Sequence, residues 1–72
     1  MNVLTDIDRA VIFAYAENNM SVAETARQSY LCRGSVEYHL NRVRQKTGLD
    51  PYKFYDLVEL VERTKRPTEA KG

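Results

Sequence analysis

The stretch from Ser21 to Leu40 constrains this chain more than any other. It reads as a short capped helix, a three-residue turn carrying an apolar residue, and the start of a longer helix. Ser21-Val22-Ala23-Glu24 has the form of a capping box, in which the serine accepts from the amide three residues on and the glutamate reaches back. The short helix runs to about Ser29, with Val22, Thr25 and Ala26 on its inward side. Ala26 is small, so a second helix can cross closely over it. Tyr30-Leu31-Cys32 breaks the pattern, and Tyr30 and Leu31 are expected to pack in the core or the turn. The longer helix covers Cys32 or Arg33 to Thr47. Its inner stripe is Val36, Leu40, Val43 and Thr47, and its opposite stripe is Ser35, Tyr38, His39, Arg42 and Lys46. Gly48 stops it, as glycine does just past a helix end.

The flanking sequence supplies two more helices and no strand pattern. Thr5 caps the first, and Asp6 and Asp8 suit its positive end. Ile7, Ala10, Val11 and Ala14 form its apolar stripe, widened by Ile12, Phe13 and Tyr15. Asn18-Asn19 ends it, because asparagine tolerates the left-handed conformation. Asp50-Pro51 opens the last helix, with Asp50 as cap and Pro51 at the first helical position. Phe54, Leu57, Val58 and Val61 form its apolar face and are expected to cover the three-helix core; the other reading leaves Tyr55, Leu60 and some of that stripe for a second copy. Tyr15, Tyr52 and Tyr55 are expected to close the margins of the core. The fold expected is all-α, a three- to four-helix bundle containing a helix-turn-helix. With 72 residues the chain is expected to hold one domain, residues 1–66, and a tail, 67–72, expected to be disordered.

Composition excludes several function classes. No apolar run approaches the roughly 18 residues that cross a membrane. The first residues lack the basic and apolar regions of a signal peptide, so a cytoplasmic location is expected. Cys32 and His39 are the only soft metal ligands, too few for a structural zinc site. His39 has no evident orienting partner in the sequence, and no nucleophile stands with a base, so no enzyme and no cofactor are expected. The net charge of +1 hides an uneven distribution: −2 over residues 1–20, +3 over 21–48 and zero over 49–72. Positive charge gathered on one segment suits a nucleic-acid partner better than the total implies.

A steep helix crossing with a polar, small-residue opening to the second helix is the helix-turn-helix arrangement. The major groove, about 12 Å wide, admits such a helix with its first turns facing the base edges. Arg33 is placed for guanine or a phosphate, and Ser35 and Tyr38 for bases or backbone. Glu37 can accept from a cytosine amino group, and Gly34 allows close approach. His39, Arg42, Lys46 and Arg44 suit the groove edge and phosphates. Arg27 and the Ser21 amide at the N-terminus of the short helix suit the adjacent backbone.

These residues also carry a resemblance. Glu24-Thr25-Ala26-Arg27, the run from Tyr30 to Val43, and Lys46-Thr47-Gly48-Leu49-Asp50 resemble the C-terminal helix-turn-helix domain of PucR-type regulators of purine and sugar-diacid metabolism. The resemblance spans roughly Leu4 to Arg63. It implies double-stranded DNA binding through the helix that starts near Cys32, with Arg33, Ser35 and Tyr38 as contacts. Family members usually carry this domain behind a long sensory region. Here it is expected to stand alone, with no small-molecule ligand. Gly34 and Glu37 depart from the family pattern where base contacts are chosen. The expected role is a small transcriptional regulator working as a homodimer. The alternatives are an accessory DNA-binding factor of a mobile element and a protein-interaction adaptor built on the same fold.

Overall fold

The computed structural model describes residues 4–65, which form four helices: α1 (Asp6–Glu17), α2 (Val22–Ser29), α3 (Arg33–Thr47) and α4 (Phe54–Lys65). No strand occurs among the described residues. The expected tail, 67–72, lies outside them.

Local chemistry sets each helix end. The Asp8 amide donates to Thr5 Oγ1 (3.0 Å) and the Thr5 amide donates to Asp8 Oδ2 (3.1 Å), so the complete capping box belongs to α1. At α2 only half of the expected box forms. The Glu24 amide donates to Ser21 Oγ at 3.2 Å, while the Glu24 carboxylate accepts from Arg27 at 2.9 Å. α1 ends at Asn18, whose side-chain amide donates to the Ala14 carbonyl at 2.7 Å and to Gln28 Oε1 at 2.6 Å. The left-handed residues at that end are Asn19 and Met20. Gly48 closes α3 with a φ of 82°, as expected, and its amide donates to the Arg44 carbonyl.

α4 begins three residues later than the Asp50-Pro51 reading places it. Asp50 Oδ1 accepts from the Tyr52 amide at 3.0 Å, which closes a local turn instead of capping a helix. Pro51 is buried in that turn. The Asp50 amide donates to Asp56 Oδ2 at 2.9 Å and ties the turn to α4.

The core comprises Val11, Ile12 and Tyr15 from α1, Ala26 from α2, Val36, Leu40 and Val43 from α3, and Leu57 and Leu60 from α4. The α3 stripe matches its sequence pattern, with Thr47 half-buried at its end. The other two stripes are rotated. On α1 the buried line is Asp8, Val11, Ile12 and Tyr15, with Ala14 beside it, while Ile7 and Ala10 are exposed. Ile12 and Tyr15 bury far more apolar area than Ala10 does, and that area decides which face turns inward. On α4 Leu60 is fully buried, and Phe54 and Val58 are left outside. α1 packs against all three other helices, α2 packs against α3, and α4 packs against α1 alone.

Candidate nucleic-acid interface

α2, the turn and α3 make the helix-turn-helix. Ala26 is buried at the crossing, as its size requires. The Leu31 amide donates to the Ala26 carbonyl at 3.0 Å, and the Leu31 side chain packs on the core. Tyr30 behaves otherwise than expected. It is the C-cap of α2, in the left-handed region at φ 59°, and it is 96% exposed. The turn is pinned by Leu31 alone, and the tyrosine ring stands in solvent. Tyr15 is a core residue and Tyr52 packs edge-on against it at 6.0 Å, whereas Tyr55 is exposed.

α3 presents an outward face whose composition follows from its register. With Val36, Leu40 and Val43 inward, the 3.6-residue period puts Gly34, Tyr38, Asn41 and Gln45 on the outermost line. All four are exposed. Arg33, Glu37 and Arg44 flank it on one side, and all are exposed. Ser35, Arg42 and Lys46 flank it on the other, with Lys46 exposed and Ser35 and Arg42 half-buried. Asn41 and Gln45 escape a reading that looks for charge. They are the amide side chains that pair with adenine, and only the helical period from Gly34 and Tyr38 places them on this line. A Cβ on Gly34 would meet nothing within 4 Å, so packing within the chain does not require glycine there.

Cys32 is the N-cap of α3, and it makes no side-chain cap bond. Its exposed Sγ lies 3.3 Å from Ser35 Oγ. Hydrogen bonds from the Ser35 side chain and amide hold the thiol below its ordinary range. Among the described residues no group of three His, Cys, Asp or Glu side chains could hold a metal, and no helix is long and apolar enough to cross a membrane.

Several of the expected contact residues are engaged within the protein. The Ser21 amide donates to the Asn18 carbonyl at 3.1 Å, so it is not free for a phosphate. His39 and Arg42 turn toward α1 and meet Asp8, whose side chain is completely buried. Asp8 Oδ1 accepts from Arg42 Nε at 3.3 Å and pairs with His39 Nδ1 at 2.7 Å, while Oδ2 accepts from Arg42 Nη2 at 3.4 Å. Burial pushes the Asp8 carboxyl up. The bonds with His39, the Thr5 amide and Arg42, with the arginine's charge, outweigh it and hold the group below its ordinary value. The same pairing with Asp8 raises the Arg42 guanidinium further. His39 therefore does have a partner. It is invisible in the sequence because it stands 31 residues away. Arg27 is exposed and pairs with Glu24 on its own helix. Arg33, Arg44 and Lys46 have no ion-pair partner among the described residues.

The sequence matches the family model described as the PucR C-terminal helix-turn-helix domain over residues 9–61. The chain belongs to this family. The matched span begins in the first turns of α1, takes in α2 and α3, and ends in α4. It therefore covers the helix-turn-helix together with the helices that support it. A PucR-type helix-turn-helix is a DNA-binding domain of regulatory proteins. No curated protein and no solved structure gives a match.

Proposed function

We propose that this PucR-type domain binds double-stranded DNA sequence-specifically, with α3 in the major groove, and acts as a small transcriptional regulator. One observation carries this reading. The outermost line of α3 is exposed to solvent, and Arg33, Arg44 and Lys46 beside it have no ion-pair partner among the described residues. Gly34 lets the helix approach closely, Tyr38, Asn41 and Gln45 offer hydrogen bonds to base edges, and Glu37 accepts from cytosine. Arg33 is the first cation to reach a guanine or a phosphate. Arg42, Arg44 and Lys46 follow the backbone further along, and Ser35 stands at the edge.

The experiment is duplex binding against salt. Four phosphate contacts per chain predict a loss of about 100-fold between roughly 50 and 200 mM salt. Arg33→Ala should weaken binding without moving the melting temperature. No binding of mixed-sequence duplex at the lower salt removes the reading.

The same reading includes a homodimer, because two half-sites about 34 Å apart give affinity that one module lacks. An apolar groove of about 350 Å³ supports it. Ala16 and Met20 at the end of α1 and Phe54, Val58 and Val61 of α4 line it. A second copy laid on this face by a two-fold axis covers Phe54, Val58 and Val61 of both chains. Sedimentation equilibrium at high micromolar concentration should show dimer. Monomer alone would remove this part of the proposal and leave the DNA-binding part standing.

A further inference from the structure

Asp8 makes four hydrogen-bonded contacts, with the Thr5 amide, His39 Nδ1, and Arg42 Nε and Nη2. They fill the acceptor capacity of a carboxylate. Such a group is an expensive choice for the inside of a small domain. Burying a charge is unfavourable, and apolar residues of similar volume often replace buried ion pairs without loss of stability. What the carboxylate does supply is fixed geometry, because both of its side-chain partners lie on α3, the helix assigned to the groove.

The arrangement continues outward. Arg42 uses its Nε and Nη2 on Asp8, and the Tyr38 side chain is a second hydrogen-bond partner that helps hold the guanidinium charged, so two of its five N–H donors are fixed from within α1 and the rest face the Tyr38 side. Its guanidinium carbon lies 6.0 Å from the centre of the Tyr38 ring. The ring of Tyr38 also meets His39 edge to face at 5.2 Å. Tyr38 is the exposed end of this chain, on the outermost line of α3. A buried carboxylate thus fixes two side chains, and those two border the ring that faces outward. Arginine otherwise loses much rotamer freedom when it binds a phosphate, and an arginine already held loses less.

We propose that Asp8 is a positioning residue for DNA binding. It orients the Arg42 guanidinium directly, and Tyr38 through Arg42 and His39, so that Arg42 and Tyr38 meet the DNA backbone as one preformed pair. This inference rests on the DNA-binding reading above and adds a residue that no DNA atom touches.

The test compares the whole chain with Asp8→Asn, Arg42→Ala and the double variant, by fluorescence anisotropy on a mixed-sequence duplex across a salt series. The temperature is one at which circular dichroism shows each protein folded. Removing a negative charge should by itself tighten binding to a polyanion. Positioning predicts the opposite sign, with Asp8→Asn binding about fivefold more weakly. Arg42→Ala should lower the salt slope by about one. Asp8→Asn should add less weakening in the Arg42→Ala background than in wild type, because only the His39 route to Tyr38 remains there. Unchanged or tighter binding by Asp8→Asn overturns the inference, and so does an equal loss in both backgrounds. If Asp8→Asn does not fold, Arg42→Lys decides. It keeps the charge but lacks the planar fork, so weaker binding at an unchanged salt slope supports positioning and wild-type affinity overturns it. A wild-type chain that binds no DNA overturns the underlying reading, a result distinct from any of these.

Discussion

Tyr30 stores strain that a single substitution should release. Its backbone sits at φ 59° and ψ 35°, the left-handed region. A side chain with a Cβ costs roughly 1–2 kcal/mol there. The ring offsets none of this by packing, being 96% exposed. Tyr30→Gly removes the penalty, while the added freedom of the unfolded chain returns about 0.4–1 kcal/mol. The net gain expected is about 0.5–1 kcal/mol. For a domain of this size that raises the melting temperature by about 3–6 °C. Tyr30→Ala is the control, since it deletes the ring and keeps the strain. Its stability should match wild type within about 0.5 kcal/mol. Tyr30→Asn should fall between, because asparagine tolerates this conformation better than other side chains with a Cβ. Thermal melts followed at 222 nm read all three. A Tyr30→Gly protein that melts below wild type would refute the reasoning, because it would mean that the exposed ring stabilises the fold after all.

Four further outcomes follow from the same geometry. Gly34→Ala should stabilise α3 by about 0.5 kcal/mol, because its Cβ meets open space, yet weaken duplex binding at least several-fold; undiminished affinity would move the groove face elsewhere on α3. Leu40→Ala removes a fully buried side chain at a cost of about 2–5 kcal/mol, comparable to the whole stability of so small a domain. Its circular dichroism at 25 °C should show a largely unfolded chain, and a cooperative melt near the wild-type temperature would contradict that. The Asp8 carboxyl is held below its ordinary value of 3.8, so its stabilising contribution is complete above that pH and is lost as pH falls through the lower folded value. Urea titrations should therefore show wild type losing stability more steeply than Asp8→Asn below about pH 4, and parallel profiles would count against the assignment. Val58→Glu puts a charge on the exposed face of α4 and should yield monomer by sedimentation without lowering the melting temperature by more than a few degrees; an intact dimer would place the contact on another face.

The sequence discloses the helices whose ends are decided within four residues. Thr5, Ser21 and Gly48 each act on their immediate neighbours, and each does so in the structure. The α3 stripe is legible for a related reason, since its apolar residues allow only one inward face. α1 and α4 carry apolar residues around more than one face, and only packing selects among them. That is why Ile7 and Phe54 turn outward while Tyr15 and Leu60 turn in. Asp50-Pro51 satisfies a helix start and a tight turn equally well, and its contact with Asp56 in the folded chain goes with the turn. The outward residues at Arg33, Gly34, Glu37, Tyr38 and Lys46 are readable from period and charge. The inward commitments of His39 and Arg42 are not, because their partner is an aspartate whose local setting, the first turn of a helix, suggests an ordinary solvated acid.

The place of α1 among the helices has a mechanical consequence. It touches every other helix, while α4 touches only α1. Apart from the short covalent link through residues 48–53, a load applied to α4 reaches α3 through α1, which acts as an axle between them. Its two ends bear different parts: Asp8 grips α3 near the start, and Ala16 borders the α4 groove near the finish. Anything seated in that groove rests on the same helix whose other end holds Arg42 and His39.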